Sequence, residues 1–345
     1  MNRLSFILLT LWLLACPCAG RSLSSRVVRI GTEAGMMRMR VLQPKESGGT
    51  VPGILWIHGG GYMLGGAYMV DMSCGKMLAE EYGAVVVCPN YRLACRAPYP
   101  AALEDCYAAL RWMYDHADEL GIDRDRIVVG GESAGGGLTA AICLYARDKG
   151  EIPIALQLPL YPMLDSEDTE SSSDNHGHVW NTRRNHWGWK HYLGGAYGTE
   201  EVSKYASPAR ETDYSNLPPC YTFVADGEPF YSETLAYVKH LQEAGVDAKV
   251  DVYHGDTHAF DMLRPWQEQS KVAKRRLCEE YERHMAREKV IAHNLIQSHE
   301  YESHQIINPH CDASHDHPFI CPAHHQHPLH RRERWRTEIC QGNGR

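Results

Sequence analysis

An excess of positive charge, internal repetition, paired cysteines and a long apolar run are all missing from this sequence, and each absence removes a class of protein. Lys and Arg number 35 against 43 Asp and Glu, a formal net charge of −8 at pH 7. That balance argues against a nucleic-acid partner. No segment repeats, which removes repeat architectures. The 12 cysteines show no paired spacing. Cys74, Cys88, Cys95, Cys106, Cys143, Cys220 and Cys278 read as buried free thiols rather than a disulfide framework. The apolar run from Leu4 to Ala15 is too short for a comfortable membrane span. What is present is an ordinary globular composition, 43% hydrophobic and 23% charged over 345 residues. That is enough for one α/β domain or two smaller ones.

The two ends differ from the body. Met1-Asn2-Arg3, the apolar run and the small residues around Ala15-Cys16-Pro17-Cys18-Ala19-Gly20 read as a signal peptide over residues 1–20, and so as export or membrane anchoring. The scattered thiols favour the other reading, a start placed upstream of a cytoplasmic enzyme. At the far end, ten of the 20 histidines fall between His293 and His330, mixed with Pro, Ser and Asp. Cys311, Cys321 and nearby histidines offer no zinc-ligand spacing. No apolar period is found there, so residues 290–345 are expected to be disordered and to hold no metal.

Between the ends, apolar runs alternate with helical periods. Arg26 to Ile30 and Met36 to Leu42 read as an antiparallel edge pair. Gly53 to Ile57, Ala84 to Cys88, Ile127 to Val129, Ile154 to Leu160, Cys220 to Ala225 and Ala248 to Tyr253 read as further strands. Helices are expected after the glycine run (Met72, Met77 and Leu78 on its apolar side), over Tyr99 to Leu120, after Gly135, over Tyr231 to Ala244, and over Glu268 to Lys289. This alternation predicts an α/β fold with a largely parallel sheet and helices on both faces, over residues 25–289. The pattern breaks from Asp165 to Leu193, where Trp180, Trp187, Trp189 and Tyr192 suggest a cap insertion over about 165–195.

Gly131-Glu132-Ser133-Ala134-Gly135 joins the Ile127 strand to the helix after it. Small residues two places either side of Ser133 let strand and helix backbones nearly touch, and the turn exposes the serine hydroxyl. Acyl transfer also needs a base, a group orienting it, and donors for a developing oxyanion. His58-Gly59-Gly60-Gly61 leaves a buried strand with bare backbone N–H groups, and Ala134 adds another. His258 lies beyond the last strand, with His254 as its competitor. Asp226 and Glu228 both follow the preceding strand, and either could reach the histidine. The order Ser, acid, His suits an α/β-hydrolase architecture.

From about Val51 to Arg264 the chain resembles the hormone-sensitive-lipase-like branch of the α/β hydrolases, which includes bacterial carboxylesterases and acetyl esterases. The resemblance is carried by His58-Gly59-Gly60-Gly61, Asn90-Tyr91-Arg92-Leu93-Ala94, Pro100 to Asp105, Gly131 to Gly136 and His258-Ala259-Phe260. It implies an eight-stranded sheet, a small helical cap made partly from N-terminal residues, and ester hydrolysis without a cofactor. It also implies Ser133 as nucleophile, His258 as base, and Gly60, Gly61 and Ala134 as oxyanion donors. Glu228-Pro229-Phe230 stands where the family has Asp-Pro-Leu, which makes Glu228 the acid. Glu132 stands where the family usually has Asp, and Cys95-Arg96 where it has Pro-Glu. The expected protein is a serine carboxylesterase for small, short-chain acyl esters. An amidase, deformylase or peptidase on the same triad, or a non-catalytic binder of the same fold, are the alternatives.

Overall fold

Residues alternate between two cores along the central strands, and this sets the architecture. Ile54 and Trp56 pack into one apolar cluster while Leu55 and Ile57 pack into the other. A strand buried on both faces needs helices on both. The computed structural model describes residues 20–46 and 48–305. The strands are β1 (Leu23–Thr32), β2 (Gly35–Pro44), β3 (Val51–Ile57), β4 (Val85–Pro89), β5 (Ile122–Glu132), β6 (Leu156–Leu160), β7 (Cys220–Ala225) and β8 (Ala248–Tyr253). They form one eight-stranded sheet in the order β1-β2-β4-β3-β5-β6-β7-β8. The β1–β2 and β2–β4 pairs are antiparallel and the rest are parallel. The expected fold class and the antiparallel edge both stand.

The helices are α1 (Cys74–Tyr82), α2 (Ala101–Asp115), α3 (Ala117–Leu120), α4 (Ala134–Lys149), α5 (Thr182–Leu193), α6 (Tyr231–Glu243), α7 (Phe260–Leu263) and α8 (Glu268–Gln305). Leu103, Leu138 and Leu241 carry α2, α4 and α6 onto one core. Leu78, Leu277 and Tyr281 carry α1 and α8 onto the other.

Four expectations need correction. The single helix over Tyr99 to Leu120 is two, α2 and α3, broken at His116. There the backbone N–H and the ring Nδ1 both meet the Trp112 carbonyl, at 3.0 and 2.9 Å, so the ring competes for the helix acceptor. Met72 is 59% exposed rather than on an apolar face, because Ala67–Met72 forms a separate 3₁₀ turn and α1 begins only after Ser73 caps it. Cys95 is exposed and Cys278 half-buried, while the other five free cysteines among the described residues are buried. Finally, α8 does not stop at Lys289. Residues 290–305 contain no glycine or proline to end the helix, and helical backbone continues to Gln305. The compact unit holding the sheet reaches Leu295. The rest of the expected disordered tail, and the expected signal peptide through Ala19, lie outside the described residues. No described helix is long and apolar enough to cross a membrane.

Candidate active site

β5 ends at Glu132 and α4 begins at Ala134, so Ser133 alone makes the turn. Its backbone sits at φ 57° and ψ −119°, a sparsely populated region for any side-chain-bearing residue. The turn is held from both sides. Ser133 N–H donates to the Leu160 carbonyl at 3.0 Å, and the Ser133 carbonyl accepts from Gly137 and Met163 N–H at 3.0 Å each. The flanking glycines are obligatory. A Cβ at Gly131 would stand 2.4 Å from the Ile57 carbonyl oxygen, and one at Gly135 would stand 2.0 Å from the same atom.

His258 Nε2 lies 2.9 Å from the Ser133 hydroxyl, which donates to it. Nδ1–H donates to Glu228 Oε2. The second carboxylate oxygen, Oε1, accepts the Ala225 N–H at 2.9 Å. Serine, histidine and glutamate are 6%, 4% and 0% exposed, so the hydrogen-bonded line is shielded from water. Aromatic edges fix the imidazole. Tyr161 and Phe230 each place a ring 5.1 Å from it, at 81° and 80°.

The two open choices of the sequence separate here. Asp226 turns away from His258; its carboxylate accepts the Gly255 N–H at 2.9 Å and pairs with His254 at 3.0 Å. That backbone bond, then His254, holds the Asp226 carboxyl below the usual range. His254 is exposed, and its partner is Asp226. Asp226→Asn is therefore expected to leave kcat near wild type and to lower stability by about 1 kcal/mol at most, the worth of a surface hydrogen bond. Steady-state kinetics with urea unfolding checks both halves.

The glycine loop packs directly on the serine turn, since a Cβ at Gly59 would be 2.9 Å from the Glu132 carbonyl oxygen and 3.3 Å from Ser133 Cβ. Gly60, Gly61 and Tyr62 all take positive φ, at 117°, 59° and 63°, a run that glycine makes accessible. The Gly60 carbonyl closes the loop by accepting Met63 and Leu64 N–H at 3.0 Å. Ala134 opens α4, so its N–H is one of the helix donors without an intrahelical acceptor. His58 anchors the base of the loop. Its Nδ1 meets the Gly59 carbonyl at 2.8 Å, its ring stacks on Tyr91 at 4.2 Å, and burial lowers its pKa to about 4, leaving it neutral.

Residues 54–262 match the family model described as the alpha/beta hydrolase fold.

The chain belongs to the α/β hydrolase family.

Among its relatives, the esterase LipI of Mycobacterium tuberculosis is 35% identical over 200 residues, 58% of this chain and 62% of that protein. The ethyl acetate hydrolase of Pseudomonas putida is 30% identical over 227 residues, 64% and 70% of the two chains. Among solved structures, a bacterial heroin esterase superposes with a TM-score of 0.73 at 35% identity, covering 82% of this chain and 90% of that one. These likenesses agree with the branch to which the sequence motifs pointed. The chain spans under two thirds of the length of the first of these relatives.

Sequence reasoning missed the residues that wall the site. Tyr161 follows a buried strand with no motif around it. Trp180 was read only as part of an aromatic insertion, yet its ring tip abuts the glycine loop, 2.1 Å from where a Gly61 Cβ would stand. Its indole N–H donates to Asn185 at 3.3 Å, and its ring lies 6.5 Å from Phe230. The insertion carrying it runs the whole way from β6 to β7, longer than the expected 165–195. Among the described residues no group of three or more His, Cys, Asp or Glu could hold a metal. A cleft of about 650 Å³ lined by Thr32, Arg92, Tyr99, Glu104, Tyr107 and Arg111 contains none of the candidate site residues.

Proposed function

We propose that this hydrolase is a serine carboxylesterase for small, short-chain acyl esters, with Ser133, His258 and Glu228 as its triad and Gly60, Gly61 and Ala134 as its oxyanion donors. The hydrogen-bonded line from Ser133 Oγ through His258 to Glu228 carries the reading. Ser133 Oγ attacks the ester carbonyl while His258 Nε2 takes its proton. Glu228 keeps Nδ1–H in place and offsets the imidazolium charge. The backbone N–H groups of the glycine loop and Ala134 face the carbonyl oxygen as it becomes anionic, a contribution of about 10²–10³ in rate per donor. Collapse expels the alcohol, which receives the proton from Nε2. Water then attacks the acyl-serine with His258 again as base. No step needs a cofactor.

The test is a panel of p-nitrophenyl esters of rising chain length assayed beside matching anilides, with fluorophosphonate labelling of Ser133. Ester turnover with labelling supports the reading. Comparable anilide turnover makes the protein an amidase, and absence of labelling makes it a binder.

Trp180 supports the short-chain preference, since its indole fills the space against Gly61. Trp180→Leu is expected to raise the octanoate-to-acetate ratio of kcat/KM by about tenfold or more. An unchanged ratio would move the acyl chain away from this wall.

A further inference from the structure

Two buried carboxyl groups lie behind the nucleophile and the base and take no part in the steps above. Glu132 precedes Ser133 and is 3% exposed; Asp261 follows His258 by three residues and is 0% exposed. Their donors are neutral groups, which include the backbone N–H of Glu132 itself for one and of Met262 for the other. The Trp56 indole N–H lies 2.9 Å from each Glu132 carboxylate oxygen. Asp261 accepts the Tyr161 hydroxyl at 2.9 Å and faces the Cys74 thiol at 3.6 Å. Cys74 is the first residue of α1, and its backbone N–H also serves Glu132. Cys74 therefore touches both groups, Asp261 through its thiol and Glu132 through its backbone N–H.

Among the described residues neither carboxyl group forms an ion pair. The other groups facing them are the Cys74 and Cys88 thiols and the Tyr91 and Tyr161 hydroxyls, all pushed up by burial and so neutral. Lys274 on α8 acts on Asp261 only through space. Two like charges buried without an ion-pair partner disfavour one another. Burial first, and the Asp261 charge second, pushes the Glu132 carboxyl up to about 8; burial raises Asp261 as well.

The pair is coupled to the reacting groups on both sides. The Glu132 carbonyl oxygen lies close against the glycine loop, 2.9 Å from where a Gly59 Cβ would stand. Tyr161, bonded to Asp261, holds its ring edge-on to His258.

We propose that Glu132 and Asp261 form a carboxylic acid–carboxylate pair that keeps a single negative charge behind Ser133 and His258, with Glu132 a positioning residue for the serine turn. A second charge in the pair would have no partner, would loosen the turn, and would oppose the negative charge arriving at the oxyanion loop.

Two readouts test this. The first rests on the esterase reading: kcat for p-nitrophenyl acetate against pH, each profile taken relative to its own maximum. Wild type is expected to lose activity above about pH 8, by about threefold or more per pH unit. Glu132→Gln and Asp261→Asn, each leaving one ionisable carboxyl, are expected to lack that limb. The second readout needs no activity: Tm against pH. A carboxyl with a raised folded pKa stabilises fully below its unfolded pKa and loses that contribution as pH rises through the folded one. Wild-type Tm should then fall between about pH 5 and 8, and the fall should flatten in Glu132→Gln and shrink in Asp261→Asn. If Glu132→Gln does not fold, Asp261→Asn decides. The proposal is overturned if the variants keep the wild-type limb, or if their Tm–pH slopes match wild type. A flattened Tm slope without any ester turnover would uphold the pair and reject only the esterase reading.

Discussion

Ser133→Ala is expected to lower kcat by about 10⁴-fold or more and to abolish fluorophosphonate labelling, while the melting temperature stays near wild type. The loss is large because, among the described residues, Ser133 supplies the hydroxyl within hydrogen-bond reach of His258 Nε2. The fold should survive because the turn is held by backbone atoms. Its bonds to Leu160, Gly137 and Met163 use the N–H and carbonyl of residue 133, which alanine keeps. The close packing at Gly131 and Gly135 is likewise untouched. The hydroxyl itself gives one hydrogen bond, worth about 1 kcal/mol. A variant retaining more than a few per cent of the wild-type rate would remove Ser133 as nucleophile. A variant that lost its cooperative unfolding would show that the hydroxyl supports the turn rather than the chemistry.

What the sequence made legible is what depends on short spacings. Gly131 and Gly135 mark a backbone contact with Ile57, and a two-residue spacing is enough to locate it. The β3 and β4 runs are legible because strands buried on both faces are apolar at every position. The Ser–acid–His order follows from strand succession, and the line of hydrogen bonds from Ser133 through His258 to Glu228 is the observation that supports the proposed triad. Features that depend on distant partners were not legible. Asp226 and Glu228 follow the same strand, and only the path of the loop after β8 separates them, giving Gly255 to one and His258 to the other. Tyr161 and Phe230 meet His258 from two other segments of the chain. The break at His116 depends on a ring nitrogen competing for a carbonyl, which no period records. The length of α8 is illegible for the opposite reason: its apolar i+4 stripe fades before the helix ends, and residues 290–305 hold no glycine or proline to terminate it.

Glu228→Gln is expected to lower kcat by about 10²–10⁴ with the fold intact, since the substitution preserves volume at a fully buried position. The argument lies in the donors around the carboxylate. Oε2 accepts His258 Nδ1–H and Oε1 accepts the Ala225 N–H, so both oxygens are used as acceptors. Glutamine offers one acceptor and one donor. If its oxygen faces His258, its amide group points at the Ala225 N–H, donor against donor. If its amide group faces His258, the imidazole must place its proton on Nε2, and a protonated Nε2 cannot take the Ser133 proton. Neither arrangement supplies the negative charge that offsets the imidazolium. The loss should appear in kcat more than in KM, because the group acts on the transition state and not on the bound ester. The measurement is kcat for Glu228→Gln and Asp226→Asn side by side at mildly alkaline pH. If Asp226→Asn were the inactive variant while Glu228→Gln kept its rate, the orienting acid would be Asp226, and the buried bond to His258 would be structural only.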